Sequence, residues 1–173
     1  RINKAVFPGY QGGPLFHQIA GKAVSFYEAL QPEFKEYQKQ LLLNSRVFCQ
    51  RFINKNVKIV SGLTQNHLFI IDVKSSYNLT GKEAETILSN LNITVNKNSI
   101  PNDTEKPMIT SGIRLGSAAM TSRGFKEDEF IIIADLIDKA LLEPNNISLH
   151  NVIKKEISKI ANSFPIKKFY LMK

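Results

Sequence analysis

Val57-Lys58-Ile59-Val60-Ser61-Gly62-Leu63-Thr64-Gln65-Asn66-His67-Leu68-Phe69-Ile70-Ile71-Asp72-Val73 is the stretch on which the fold turns. β-Branched and large apolar residues crowd 57–60 and 67–73, and small polar turn formers lie between them. Such side chains pack well on a pleated surface, so two strands joined by a turn at 61–66 are expected. An otherwise helical pattern therefore has to accommodate a sheet.

Upstream, Phe16, Ile19, Ala20, Ala23, Val24, Tyr27 and Leu30 recur at helical spacing behind Pro14, which suits a first helical position. Pro32 breaks this helix. A second is expected over 33–54, with Phe34, Tyr37, Leu41, Leu42, Ser45, Phe48, Cys49 and Phe52 on one stripe and Cys49 as a small core residue. Downstream, Thr80-Gly81-Lys82-Glu83 has the spacing of a capping box and predicts a helix over 82–91. Short strands at 93–95 and 109–115 flank a polar segment, and helices at 126–142 and 148–162 close the chain, with Pro144 between them. This order implies an α+β body: a small, mainly antiparallel sheet covered on one face by helices. There is no internal repeat and no low-complexity tract.

The 173 residues can bury one good core. A hydrophobic share of 43% with 22% charged residues excludes a disordered or collagen-like chain. A net charge of +8 is compatible with nucleic acid, an anionic membrane or acidic small substrates. Only five of the basic residues are arginines, however, and the lysines are scattered among Asn and Ile, which reads as compositional bias. No nucleic-acid partner is expected. The single Cys49 cannot form an internal disulfide and no Cys/His cluster has zinc spacing, so a reducing, cytoplasmic setting and no metal are expected. No apolar run is long enough for a membrane span, and no signal-peptide plan opens the chain. The sequence starts at Arg1 inside ordered-looking sequence and is expected to be a piece of something longer.

Three segments have the residues for chemistry. In the run from Gly9 to Pro14, glycines let backbone amides approach a phosphate, although a plain turn before a helix needs the same residues. From Asn96 to Asp103, amides, a hydroxyl and a Pro-fixed bend can read the edges of a polar ligand, or merely form a turn-rich surface loop. Arg114 lies on a strand between apolar neighbours, and its planar fork matches a carboxylate, either a ligand's or one of the chain's own acids. His17 and His67 are expected to pack beside the core, and neither they nor His150 has a triad or metal pattern. Lys22 and Lys97 are conceivable Schiff-base amines but read as solvated or phosphate-pairing.

Taken together, the segments resemble the serine hydroxymethyltransferase family over almost the whole chain. The resemblance is carried by Ala5-Val6-Phe7-Pro8-Gly9, Gln11-Gly12-Gly13-Pro14, Ile19-Ala20-Gly21-Lys22-Ala23, Pro32-Glu33-Phe34-Lys35, Asn66-His67-Leu68 and Asn78-Leu79-Thr80-Gly81-Lys82-Glu83-Ala84. Ile93-Thr94-Val95-Asn96-Lys97-Asn98, Pro101-Asn102-Asp103, Thr110-Ser111-Gly112-Ile113-Arg114 and Arg123-Gly124-Phe125 continue it in the same order and spacing.

The resemblance implies the C-terminal portion of a homodimeric, fold-type I (aspartate-aminotransferase-like) enzyme with active sites shared between subunits. By it, residues 1–32 are the end of the large domain that binds pyridoxal 5'-phosphate, and 33–173 are the C-terminal α+β domain. The implied reaction moves a one-carbon unit between serine and tetrahydrofolate, leaving glycine. Gly12 and Gly13 would offer amides to the cofactor phosphate, Arg114 would clamp the substrate carboxylate, and Asn98, Lys106, Pro107 and Met108 would line the folate site. Lys106 departs from the family, which usually has a small polar residue there. The family's Thr-Thr-His-Lys stretch with its cofactor-binding lysine does not occur in this chain. The chain by itself is therefore expected to be inactive. A non-catalytic amino-acid or folate-binding module is the competing expectation.

Overall fold

Leu68–Asp72 (β1), Asn96–Asn98 (β2) and Gly112–Gly116 (β3) form one antiparallel sheet in the order β1-β3-β2, in a computed structural model that describes residues 1–166. The end of the expected C-terminal domain, 167–173, lies outside the described residues. The chain divides into two units, one covering Arg1–Glu36 and one beginning at Tyr37.

The first unit contains a helical turn at Ile2–Lys4 (α1), a wound segment at Ala5–Tyr10 broken by non-helical angles at Phe7 and Pro8, and the helix Phe16–Ala29 (α2). The helix starts two residues later than Pro14 suggests. No residue of this unit is fully buried; Phe16, Phe26, Tyr27 and Leu30 are all exposed.

Helix α3, Pro32–Ile53, runs from the first unit into the second. Its inner stripe places Leu41, Phe48, Cys49 and Phe52 in the core, where Cys49 is 2% exposed, as its position on the stripe predicts. Val73–Tyr77 (α4) and Gly81–Asn90 (α5) follow β1, and Ala118–Arg123 (α6), Glu127–Leu142 (α7) and Ile147–Ser163 (α8) follow β3. Phe69 and Ile71 of β1 and Ile113 and Leu115 of β3 bury their side chains with Phe48, Phe52, Leu88, Phe130 and Ile137 of the helices. Phe48 gathers Phe52, Phe69 and Phe130 at ring-centroid distances of 5.2–5.5 Å, so α3, β1 and α7 share one aromatic cluster. Arg51 of α3 and Lys55 in the turn just after it reinforce the packing on α7 through Asp135 and Asp138. The second unit is thus helix-rich with a small three-stranded antiparallel sheet, in keeping with the α+β expectation.

The expected strands differ in extent, and the one expected at 109–115 runs from Gly112 to Gly116, because the Ile109 and Thr110 amides turn back to the Lys106 carbonyl. Residues 57–60 contribute only the bridge Ile59↔Ile71, because the Val57 amide donates back to the Phe52 carbonyl at the end of α3 while Asn56 takes a left-handed φ of 61°. Residues 93–95 form no strand for the same reason. Asn92 has φ 64° and the Ile93 amide donates to Leu88 O, a Schellman closure of α5 that delays the strand to Asn96–Asn98. Strand β1 also stops one residue short of Val73, because Asp72 caps α4 by accepting the Ser75 amide at 2.9 Å. Both His17 and His67 are exposed rather than packed on the core.

Candidate functional site

Strand pleating assigns the side chains of β3 to two faces. Ile113 and Leu115 enter the core, which leaves Gly112, Arg114 and Gly116 on the opposite face. Register brings Ile70 of β1 and Asn96 of β2 beside Arg114 on that open face. The guanidinium is exposed and contacts the Asn96 Oδ1 at 3.4 Å, a long hydrogen bond. Among the described residues no carboxylate pairs with it, so the structural ion pair left open by the sequence is not formed. What remains is a charged fork projecting from a strand that is hydrogen-bonded along both edges, a geometry suited to a carboxylate from outside the described residues.

The glycines around Arg114 have local causes. A Cβ on Gly112 would come within 2.7 Å of the Ile100 Cγ2 and 2.9 Å of the Asn98 carbonyl, so the backbone of β2 and its following loop can approach only glycine here. Lys97 lies on the other face of β2, with its amide donating to the Glu85 carboxylate at 2.9 Å and its ammonium 3.5 Å from the same group. It is therefore an ion-pair residue, remote in orientation from Arg114.

Asn98 pairs with Gly112, which makes 99–111 the hairpin loop between β2 and β3. The Asn98 side-chain amide donates to the Ser99 carbonyl at 2.7 Å. Lys106, Pro107 and Met108 stand exposed at the far side of this loop, Met108 at 75%. Asp103, which the sequence marked only as the end of a polar segment, is the centre of the loop. Its carboxylate accepts from the amides of Ile100, Glu105 and Ser111 at 3.2, 2.9 and 3.0 Å and from the Ser111 hydroxyl at 2.6 Å. Burial raises the Asp103 carboxyl, but the Ser111 hydroxyl and the three amides outweigh it and take the pKa down to about 2. An Asp directly behind Pro101-Asn102 at turn spacing is the available sequence signal, and it does not specify the long-range bonds to Ser111.

In the first unit, Gly12 and Gly13 lie between the wound segment and α2. Neither has a positive φ, and a Cβ on either would meet nothing within 4 Å. Neither backbone conformation nor packing within the described residues requires glycine at these positions. Lys22 is exposed on α2. Among the described residues no group of His, Cys, Asp and Glu is placed to hold a metal, and no helix is long and apolar enough to cross a membrane.

The serine hydroxymethyltransferase family model matches residues 1–137. A serine hydroxymethyltransferase of Metamycoplasma arthritidis is 75% identical over all 173 residues, which correspond to 41% of its length. Those of Mycoplasma mobile and Cupriavidus necator are each 52% identical over 99% and 95% of this chain, again matching only 42% and 40% of their own lengths. The chain spans about two fifths of the curated relatives it matches. With the family model covering most of the sequence and the likeness running through both the glycine loop and the Arg114 strand, this chain belongs to the serine hydroxymethyltransferase family.

Proposed function

We propose that this chain is the C-terminal portion of an enzyme that interconverts serine and glycine with transfer of a one-carbon unit to tetrahydrofolate, using pyridoxal 5'-phosphate. The observation that carries the reading is Arg114: an exposed guanidinium on the open sheet face, with no carboxylate paired to it among the described residues. In this reading it grips the α-carboxylate of serine or glycine through its planar fork. Strand pairing on both sides fixes the backbone from which the fork projects, which favours orienting the amino acid as well as binding it.

Gly12 and Gly13 fit a cofactor phosphate, since the missing side chains have no cause within the described residues and leave their amides approachable. When bound, the cofactor supplies an electron sink for the bond to be broken. The role of this chain is to hold and orient. Asn98, Lys106, Pro107 and Met108 form the folate wall, with the Asn98 amide for polar edges and the exposed Pro107 and Met108 for the flat faces of the ring system. Lys106 adds a cation where the family usually has a small polar residue, a charge suited to the acidic tail of a folate.

In the same reading 1–32 close the large cofactor-binding domain of a fold-type I enzyme, 33–173 form its C-terminal domain, and the sites are completed across a homodimer in the cytoplasm. The 173 residues alone, without the lysine-bearing stretch, are inactive.

The test is Arg114→Lys in the full-length protein. Losing the bidentate fork should weaken glycine about 10- to 100-fold, from the roughly 1.5–3 kcal/mol of a hydrogen bond to a charged group. Glycine affinity is read by titration against the cofactor's visible spectrum. Unchanged affinity removes the clamp and with it the reading.

A further inference from the structure

The hairpin loop 99–111 is long and has little regular structure, yet both candidate ligand groups border it: Arg114 just beyond its end, and Lys106-Pro107-Met108 within it. Loops of this kind keep a shape only where specific bonds hold them. Here four such bonds converge on one carboxylate. Asp103 joins the first part of the loop (Ile100), the middle (Glu105) and the end (Ser111).

The far limb is fixed by a second device. The Lys106 carbonyl accepts the Ile109 and Thr110 amides, and Thr110 is driven to a φ of 60°, a left-handed conformation that a β-branched residue rarely adopts. Its carbonyl and that of Ile109 accept the first amides of α5, from Gly81 and Lys82, at 2.9 and 3.0 Å. Gly81 can have no side chain, because a Cβ would overlap the Thr110 hydroxyl and the Gly112 carbonyl. Strain of this kind persists where the surroundings over-determine it, and the Ser111 amide and hydroxyl held by Asp103 are the neighbouring restraint.

We infer that Asp103 is a positioning residue for the folate co-substrate: its carboxylate ties Ile100, Glu105 and Ser111 together and so sets where Asn98 and the segment 106–108 stand. This rests on the reading of the loop as the folate wall. Arg114 has a support outside the loop, since the pairing of β3 with β1 over the whole strand sets the backbone from which the guanidinium projects. Loss of Asp103 should therefore separate the two ligands. The carboxyl is held at a pKa of about 2, so it is ionised and accepting at all working pH values.

The experiment uses the full-length protein with its cofactor and compares wild type, Asp103→Asn and Ser111→Ala. Asp103→Asn keeps the size but turns one acceptor into a donor facing amide N–H groups. Tetrahydrofolate binding, measured directly by calorimetry in the presence of glycine, should weaken about tenfold or more, as expected for losing charge-assisted bonds. The KM for tetrahydrofolate should rise in step. Glycine affinity, read from the cofactor's visible spectrum without folate, and kcat at saturating folate should stay within about twofold of wild type.

Ser111→Ala removes one bond of the four and should weaken folate roughly threefold, with glycine again unchanged. It carries the test if Asp103→Asn does not fold. Unchanged folate affinity overturns the proposal, as does an equal loss of both ligands, which would make Asp103 a general support of the domain. Failure of the wild type to bind glycine or folate would instead strike at the functional reading itself.

Discussion

Cys49 sits on the inner stripe of α3 beside Phe48 and Phe52, 2% exposed, and burial pushes its thiol up to about 11 against a small opposing hydrogen bond with the Thr64 backbone. A thiol reacts as its thiolate, so at pH 8 only about a thousandth of Cys49 is in the reactive form, and that fraction is out of reach of solvent. Aromatic disulfide reagents should leave the native protein unmodified for as long as it stays folded and label one thiol in denaturant. Rapid labelling under native conditions would show that the α3 stripe opens. The sequence had placed this residue correctly, since a lone Cys at helical spacing among Phe and Leu has few other places to go. Asp103 was not legible in the same way: its partners Ile100 and Glu105 are close in sequence, but the bonds to Ser111 depend on the closed hairpin.

Among the elements, α5 shows how local chemistry and long-range packing meet at one helix start. Thr80 accepts the Glu83 amide, and the Glu83 carboxylate accepts the Thr80 amide and hydroxyl at 2.8 and 2.7 Å, completing the capping box read from the sequence. Replacing Thr80 with Ala should cost about 1 kcal/mol in denaturant unfolding at neutral pH. The Thr80 amide and hydroxyl hold the Glu83 carboxyl below its ordinary value, so its contribution is complete above the ordinary glutamate range and is lost as pH falls through the lowered value. The difference between wild type and variant should accordingly shrink in acid. A pH-independent cost would mean that the bond from the Thr80 hydroxyl to the Glu83 carboxylate contributes nothing. The end of α5 was harder to foresee. Periodicity marks where apolar residues lie, but at Val57 and Ile93 the first β-branched residue after the helix surrenders its amide to the helix end, following an Asn in the left-handed region. Asn followed by Val or Ile after a helical stripe is the readable signal, and it moves each expected strand or reduces it to a bridge. The polar strand Asn96–Asn98 had no apolar pattern to announce it; its pairing with β3 alone makes it a strand.

At the scale of the whole chain, the two units differ in what holds them. From Tyr37 onward the protein has a continuous core in which Phe48, Phe52, Phe69 and Phe130 interlock across α3, β1 and α7. Residues 1–36 have no such core, and Phe26 on α2 is 68% exposed. The sequence pattern alone does not separate these cases, since both helices carry apolar stripes of similar quality. A stripe records that a face is to be covered, and only the fold tells whether the cover lies within the same chain. Truncating each phenylalanine distinguishes the two. Phe52 is 0% exposed, and Phe52→Ala deletes the ring from a closed aromatic cluster, so a loss of about 3–5 kcal/mol is expected, a large part of a domain's total stability. Phe26→Ala in the same 173-residue chain should change unfolding by no more than about 0.5 kcal/mol, the range for exposed positions. Both are read from urea midpoints at constant slope. A comparable loss at Phe26 would show that α2 is buried in the folded chain. A small effect there, followed by a several-fold larger one in the full-length protein, would show that the cover for this stripe comes from residues beyond the 173.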